Sequence, residues 1–483
     1  MRWRLIALSL AVGSVAACKT PPSLAIVGDT VKLRRDDKAP ATSSVFDGKM
    51  VRLRGARGET LGLQVLHGAF AELRVDGVAI DPFKIRYLDV REPSTAMYGP
   101  SRGKGAWPDP LEPSSSRRVP GDVFFDVVIP ADATPGVHHG TLTVGTRDLP
   151  VELVVEPMTI ALSPFVWIWY QPGEIARAEG LPDEDGKLLP LERKYEELVR
   201  AHGAYLASDL PPPRFEARLA FLDGTRYWPV RVADDNLRAD ADFWDRRFAT
   251  LPQVPFATTV DEPHDAAERA EARKMGATMG KHAKLLRVVT AAPSPDFGDA
   301  IDVFISPASR PPHRWTYNGA PPSAGALIID TDGTALRTWG WIAERYGVEL
   351  WYAWEGTYYA DRYNGGGPTA VLDNPLTFDQ RKKHPGHDAD WGNGDGVLVY
   401  PGPWPSLRLK ALRRGLQDRA ILEALAACGA RDVVDREVHA LVPRALDEGK
   451  GAAAWPSDEA AWEASRGRLY DAWRARCARA AAK

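Results

Sequence analysis

The sequence contains few cysteines, no excess of charge of one sign and no transmembrane-length hydrophobic run. Its 3 Cys among 483 residues cannot build the cross-linked scaffold of a small secreted domain. The 61 Lys and Arg and 64 Asp and Glu leave a net charge of -3, so no basic field exists to hold a nucleic acid. Because hydrophobic cores stop growing at about 250–300 residues, we expect a globular protein of several domains.

Tryptophan and proline are abundant, with 16 and 40 residues. The prolines predict many loops of fixed geometry. The tryptophans predict aromatic surfaces that fill a core or line a cleft for the apolar face of a ligand. Motifs for a serine nucleophile elbow, a P-loop or a zinc protease are missing, and the acidic turn near residues 388–395 lacks the EF-hand spacing. We therefore predict no metal and no cofactor.

The first 22 residues are predicted to be a lipoprotein signal peptide and tether. Two arginines precede the apolar run at residues 5–17, which is shorter than the about 20 residues that span a bilayer. Residues 15–18 (VAAC) resemble the bacterial lipoprotein box, in which the Cys18 thiol carries the lipid. The alternative is an ordinary secretory signal that happens to end near a cysteine. We expect a protein of the bacterial cell envelope, at the outer membrane or the periplasmic face, that meets the membrane through this lipid only.

The remaining chain divides into three predicted regions. Over residues 23–158, short segments in which apolar and polar residues alternate are separated by turn signals, which predicts a β-sandwich. Over residues 159–430, apolar strands alternate with helices, which predicts a (β/α)8 TIM-like barrel, with an open doubly wound sheet as the alternative. Residues 431–483 are predicted to form C-terminal helices packed on the barrel. Cys428 and Cys477 either pair or, in the preferred interpretation, remain two separate helix cysteines. The predicted barrel strands are 165–171, 205–208, 254–260, 285–291, 302–307, 326–330, 348–354 and 396–400.

Two adjacent carboxylates follow the predicted strand 254–260. Active sites of such barrels lie at the C-terminal ends of the strands, so Asp261 and Glu262 are candidate catalytic residues. Neighbouring side chains on a strand point to opposite faces, so the pair can share a substrate only if the strand ends between them, which Pro263 favours. The alternative interpretation is that Glu262 and Asp265 cap the helix that follows.

Neighbouring acids do not suit a simple inverting glycosidase, whose carboxyls are about 6.5–9.5 Å apart. They suit retaining, substrate-assisted hydrolysis, in which the 2-acetamido oxygen of the sugar attacks the anomeric carbon. Asp261 would hold and polarise the acetamido N–H, and Glu262 would protonate the leaving oxygen. A second route keeps hydrolysis but pairs Glu262 with Glu355 as an ordinary retaining pair. The alternative hypothesis from a different functional class is a non-catalytic envelope protein that binds glycans or acts as a scaffold.

An aromatic cluster follows the predicted strand 348–354, and a tight-turn sequence, NGDG, occupies residues 393–396. Aromatic rings stack on the apolar face of a pyranose, although Trp351 or Trp354 could instead fill the barrel core. The spare carboxylate of Glu355 stands at the same strand end. The predicted substrate-binding residues are Trp351, Tyr352, Trp354, Glu355, Tyr358 and Asn393.

Several segments resemble a known family. Residues 260–263 (VDEP), 346–364 and 393–425 are similar to bacterial proteins with domain of unknown function 4091, a group related to glycoside hydrolase family 123. Residues 57–65, 107–113 and 134–144 are similar to the leading β-sandwich of that group. The resemblance implies a β-sandwich followed by a (β/α)8-type barrel. It also implies β-N-acetylgalactosaminidase-type chemistry by Asp261 and Glu262 on a glycan substrate, and we expect no obligate protein partner.

Overall fold

The N-terminal part of the chain forms two β-sheets that face each other. The computed structural model describes residues 23–361, 367–381 and 389–477. One sheet has the strand order β1-β3-β8-β5-β6, and the other has the order β2-β10-β9-β4-β7. Leu63 of the first sheet and Leu153 of the second are fully buried in one shared core, so the two sheets form a β-sandwich. The strands are β1 (Ala25–Gly28), β2 (Val51–Arg57), β3 (Thr60–Leu66), β4 (Phe70–Val75), β5 (Ala79–Val90), β6 (Gly105–Pro113), β7 (Val119–Pro120), β8 (Val123–Val128), β9 (Gly136–Val144) and β10 (Arg147–Thr159).

The next part is a curled parallel sheet with helices in its connections. Its eight strands form two four-stranded sheets, β12-β11-β18-β17 and β13-β14-β15-β16, and a parallel bridge from Ile305 to Trp315 joins them. No ladder joins β12 to β13 in the described residues, so the closed (β/α)8 barrel is not confirmed. The elements are β11 (Val166–Trp169), α1 (Pro172–Ala178), α2 (Asp185–Ala201), β12 (Ala204–Ala207), α3 (Pro212–Glu216), β13 (Tyr227–Pro229), α4 (Leu237–Arg247), β14 (Val254–Thr258), α5 (Ala266–Met279), β15 (Leu286–Val289), β16 (Val303–Phe304), β17 (Trp315–Tyr317), α6 (Thr338–Tyr346) and β18 (Leu350–Ala353).

Two of the predicted barrel strands are wrong. Residues 326–330 are buried without a ladder, and Asp330 accepts a hydrogen bond from the Ser94 backbone N–H of the N-terminal domain at 2.8 Å. Within residues 396–400, only Val399–Tyr400 is a strand, and it belongs to an antiparallel hairpin. Both segments are apolar because they are buried between domains, which produces the same pattern as a buried strand. Their places in the sheet are taken by β13 and β17.

The last part begins with short hairpins and continues with three helices. The helix α7 is buried over most of its length and joins the domains, since Arg413 and Lys410 both pair with Asp126 of β8. The helix α9 also contacts the N-terminal domain, where Arg474 pairs with Glu156 at 2.7 Å, so the C-terminal helices do not pack on the parallel sheet domain alone. The elements are β19 (Ala360–Asp361), β20 (Gly367–Pro368), β21 (Leu376–Asp379), β22 (Trp391–Asn393), β23 (Val399–Tyr400), β24 (Trp404–Pro405), α7 (Leu407–Ala427), α8 (Arg431–Leu441) and α9 (Glu459–Arg476).

Cys428 and Cys477 form a disulfide with their Cα atoms 5.7 Å apart, so the preferred interpretation of two separate cysteines is wrong. Each follows the end of a long helix, and the tertiary packing of α7 and α9 brings the two ends together. Among the described residues, no helix has the length and hydrophobicity needed to cross a membrane. Cys18 and the predicted signal peptide lie outside the described residues.

Candidate active site

A cleft of about 510 Å³ opens at the carboxyl edge of the parallel sheet. Its walls come from the C-terminal ends of β11 to β15 and β18, and from the residues just beyond them. Side chains from many strands converge there because parallel strands share one carboxyl edge. The lining residues are Trp167, Trp169, Asp209, Pro229, Val230, Val232, Phe256, Thr258, Asp261, Thr290, Tyr352 and Trp354.

The floor of the cleft is aromatic. Trp167 stacks on Tyr352 with ring centroids 4.2 Å apart, and it also forms an edge-to-face pair with Phe256 at 5.0 Å. Alternation in β11 sends Val166 and Ile168 to the opposite side, where they pack against the helices. The aromatic rings therefore present a rigid apolar surface of the kind that a sugar ring stacks on.

The two candidate acids stand at the mouth of this cleft. Asp261 lines the cleft, and both Asp261 and Glu262 are exposed. The strand β14 ends at Thr258, before the pair, so the two side chains are not forced onto opposite faces. Glu262 has a φ of 46°, a left-handed conformation that costs a non-glycine residue about 1–2 kcal/mol. Such strain is typical of functional sites.

A single hydroxyl group holds the acid pair. The Thr290 Oγ1 donates a hydrogen bond to the Asp261 Oδ1 at 2.6 Å and accepts one from the backbone N–H of Glu262, also at 2.6 Å. Thr290 follows β15 and is itself buried. The neighbouring strand therefore fixes the position of one carboxylate and the backbone of the other.

Two phenols lie close to the acids. Burial raises the pKa of Tyr317, and the charge and hydrogen bond of Glu262 and the charge of Asp261 raise it further. Burial also raises the pKa of Tyr352 well above its usual value, with the charges of Asp261 and Glu355 adding to the effect. Both phenols therefore keep their protons at neutral pH and can donate hydrogen bonds at the cleft.

The capping interpretation is correct for Asp265 and wrong for Glu262. Asp265 is the N-cap of α5, where its side chain accepts hydrogen bonds from the backbone N–H groups of Ala267 at 2.8 Å and Glu268 at 2.9 Å. The helix is therefore capped without Glu262, whose contacts are with Thr290 and Tyr317.

Only some of the predicted substrate-binding residues reach the cleft. Tyr352 and Trp354 line it, whereas Glu355 is buried at 1% exposure. Trp351 points to the opposite face of β18, where it stacks on Trp339 with ring centroids 4.5 Å apart.

Tyr358 and Asn393 are also remote from the cleft lining. Tyr358 is fully buried beside Trp354. The Asn393 Nδ2 donates hydrogen bonds to the Glu92 backbone oxygen at 2.9 Å and to the Ser94 Oγ at 3.0 Å, both in the N-terminal domain. Trp351, Glu355, Tyr358 and Asn393 are therefore buried and absent from the cleft lining.

Other cleft residues were not found from the sequence. Trp169 ends β11, Asp209 lies two residues beyond β12, and Thr290 follows β15 directly. The strand-end rule that selected Asp261 would also have selected these three, since their strands were predicted. Tyr317 could not have been found in this way, because the three-residue strand β17 was not recognised.

Part of the chain matches a known protein-family model. Residues 294–425 match the family model of the glycoside hydrolase 123 catalytic domain. The match includes Tyr352 and Trp354, whereas Asp261 and Glu262 precede it. The resemblance to family 123 is thus confirmed over this segment, and the link to domain of unknown function 4091 stays a prediction.

A solved structure shares the fold of this chain. A family 123 glycoside hydrolase from Clostridium perfringens, described in terms of glycolipid glycan hydrolysis, aligns with a TM-score of 0.64 at 12% identity and covers 93% of this chain and 97% of that one. An FMN-binding β-glucuronidase from Faecalibacterium prausnitzii L2-6 gives a TM-score of only 0.21 at 10% identity, covers 64% of this chain and 49% of that one, and carries no argument. A comparison with curated proteins finds no match.

Metal ligands do not cluster in the described part of the chain. Within residues 23–361, 367–381 and 389–477, no group of three or more His, Cys, Asp or Glu side chains could hold an ion. Asp388, the first residue of the acidic turn considered above, lies outside these ranges.

Proposed function

We propose that the protein is a glycoside hydrolase that cleaves a β-linked 2-acetamido sugar with retention of configuration, by a substrate-assisted mechanism. The observation that carries the proposal is the acid pair, Asp261 and Glu262, at the mouth of an aromatic cleft on the carboxyl edge of the sheet. The family 123 match over residues 294–425 and the shared fold support the reaction class.

The contacts of the pair suit the two proposed roles. Asp261 uses its Oδ1 to accept the Thr290 hydroxyl, which leaves Oδ2 for the acetamido N–H of the sugar. The polarised acetamido oxygen attacks the anomeric carbon while Glu262 gives its proton to the leaving oxygen, and a cyclic oxazolinium intermediate forms. Glu262 then takes a proton from water, which opens this intermediate on the same face and restores the configuration.

The aromatic residues would hold the ring for this reaction. Trp169 and Trp354 line the cleft and offer apolar faces, and Tyr352 lies against Trp167 on its floor. Fixing the acetamido oxygen near the anomeric carbon is worth a large part of the rate, because it turns an intermolecular attack into an intramolecular one.

The proposal also includes a natural substrate class and a cellular location. The Clostridium perfringens relative is described as acting on glycolipid glycans. We extend this substrate class to the present protein, whose predicted lipid on Cys18 would hold it at a bacterial envelope membrane. In this organisation residues 23–158 are the β-sandwich domain, 159–430 the catalytic domain and 431–483 the supporting helices.

The test is a screen of aryl β-glycosides with and without a 2-acetamido group, with a sugar thiazoline as the inhibitor. The proposal expects turnover of the acetamido series alone and competitive inhibition by the thiazoline. Equal turnover of sugars that lack the acetamido group would instead favour the ordinary retaining pair of Glu262 and Glu355. Binding of these sugars without turnover would favour the non-catalytic glycan-binding protein.

A further inference from the structure

A third carboxylate, that of Asp209, reaches the cleft from the opposite sheet. Asp209 follows β12, whereas Asp261 follows β14, and the two strands belong to different four-stranded sheets. Both side chains line the cleft of about 510 Å³. The proposed reaction employs Asp261 and Glu262 and leaves Asp209 without a role.

The surroundings of Asp209 keep its carboxylate accessible to a ligand. Asp209 is exposed, and its Oδ1 accepts a hydrogen bond from the Trp169 indole N–H at 3.4 Å. In the described part of the chain, no Lys or Arg forms an ion pair with it, and Arg231 attracts it only from a greater distance. Loss of hydration in the cleft raises the pKa of Asp209, and the Trp169 hydrogen bond and the charge of Arg231 oppose this rise only in part. A carboxylate accepts about four hydrogen bonds, so capacity remains for the hydroxyl groups of a sugar.

Negative charge dominates the cleft. Asp209 and Asp261 line it, and Glu262 stands next to Asp261. These three carboxylates and Glu355 all raise the pKa of Tyr352, in addition to its burial. None of the described lining residues is a Lys, Arg or His. A sulfate or carboxylate on the bound ring would meet repulsion that the more distant Arg231 offsets only in part, and in a partly dehydrated cleft such repulsion is strong.

We propose that Asp209 selects the sugar, accepting hydrogen bonds from hydroxyl groups of the bound ring and, together with the acid pair, excluding rings that carry a sulfate or a carboxylate. This inference deepens the proposed function and rests on it. The Trp169 indole, held by the same carboxylate, supplies the adjacent stacking face.

The experiment compares the wild-type full chain with Asp209→Asn. The substrates are an aryl 2-acetamido-2-deoxy-β-galactoside and its 6-sulfate. For the neutral substrate, we expect KM to rise about tenfold or more with a much smaller change in kcat, because a charge-assisted hydrogen bond made throughout the reaction is lost. The preference in kcat/KM for the neutral over the sulfated substrate should fall at least about tenfold. Asp36→Asn, an exposed aspartate that does not line the cleft, is the matched control and should leave both values unchanged.

Two further outcomes separate this inference from the proposed function. If the wild type turns over substrate and Asp209→Asn changes neither KM nor the preference for the neutral over the sulfated substrate, the role of Asp209 is overturned. The proposed hydrolase is unaffected by that result. If the wild type hydrolyses neither these substrates nor any other 2-acetamido aryl β-glycoside of the screen, the proposed hydrolase fails. The role of Asp209 is then decided by titrating N-acetylgalactosamine and its 6-sulfate while following tryptophan fluorescence. Equal affinity of the wild type for both sugars, or no effect of Asp209→Asn, would overturn the inference.

Discussion

The hydroxyl of Thr290 offers a sharp test of how the acid pair is positioned. Thr290→Val keeps the shape of the side chain but removes two hydrogen bonds of 2.6 Å, one to the Asp261 carboxylate and one from the Glu262 backbone. A hydrogen bond to a neutral group contributes about 0.5–1.5 kcal/mol and one to a charged group about 1.5–3 kcal/mol. Because both acids are exposed and water can replace part of each bond, we expect the free energy of unfolding to fall by about 1–2 kcal/mol.

The effect on catalysis should be larger than the effect on stability. A displacement of about 1 Å in a reacting group can cost about a hundredfold in rate, so kcat of Thr290→Val should fall by roughly that factor while KM changes little. The measurements are steady-state kinetics on the acetamido aryl glycoside and urea unfolding. Thr290→Ser is the matched control, since it keeps the hydroxyl, and it should retain most of the wild-type kcat. A wild-type kcat in Thr290→Val would refute this reasoning. A kcat of Thr290→Ser as low as that of Thr290→Val would refute it as well.

Two further predictions concern stability and its pH dependence. Asp126→Asn should cost about 3–5 kcal/mol in urea unfolding, because it leaves Arg413 and Lys410 without their buried partner. Burial raises the pKa of Asp126, but the charges of Arg413 and Lys410 outweigh burial and hold this pKa below 3.8. The contribution of Asp126 to stability should therefore be present above about pH 4 and lost as the pH falls below it. Burial raises the pKa of Asp395 from 3.8 to about 6, so its contribution is full below about pH 4 and lost as the pH rises through 6. Asp395→Asn should therefore gain about 3 kcal/mol relative to the wild type between pH 4 and pH 8, and an equal difference at both values would contradict this assignment.

The sequence was sufficient to place the candidate acid pair at the cleft. An apolar strand that runs into two acids and a proline is a local pattern, and the rule that sites lie at the carboxyl ends of parallel strands gives it a place. Asp261 lines the cleft and Glu262 stands beside it, and the same rule placed Tyr352 and Trp354 correctly. The tryptophan content predicted aromatic surfaces that fill a core or line a cleft, and it did not show which tryptophans line this cleft.

The errors arose where long-range packing decides the outcome. Alternation placed Trp351 and Tyr352 on opposite faces of β18, but only the position of Trp339 in α6 shows which face is the outer one. Asn393 looked like a turn residue near a site, and its partner Glu92 is 301 residues away in the chain. Local spacing contains no information about such a contact.

Strand assignment failed for a related reason. The strands β13 and β17 have three residues each, too few to display a period, and they were missed. The buried segment 326–330 has the apolar pattern of a strand because it lies between two domains, and Asp330 at its end bonds to Ser94. Whether an apolar run joins a ladder depends on neighbours that come from distant parts of the chain.

The most direct test of the account is the turnover of Asp261→Asn and Glu262→Gln on a 2-acetamido aryl β-glycoside, measured beside Glu271→Gln, an exposed glutamate of α5 whose carboxylate contacts Lys274. Positioned acid and base groups contribute about 10²- to 10⁴-fold in rate, so both cleft variants should lose at least about a hundredfold in kcat while the control keeps wild-type activity. All three variants should unfold at the wild-type urea concentration. Wild-type kcat in both cleft variants would show that Asp261 and Glu262 do not carry the reaction.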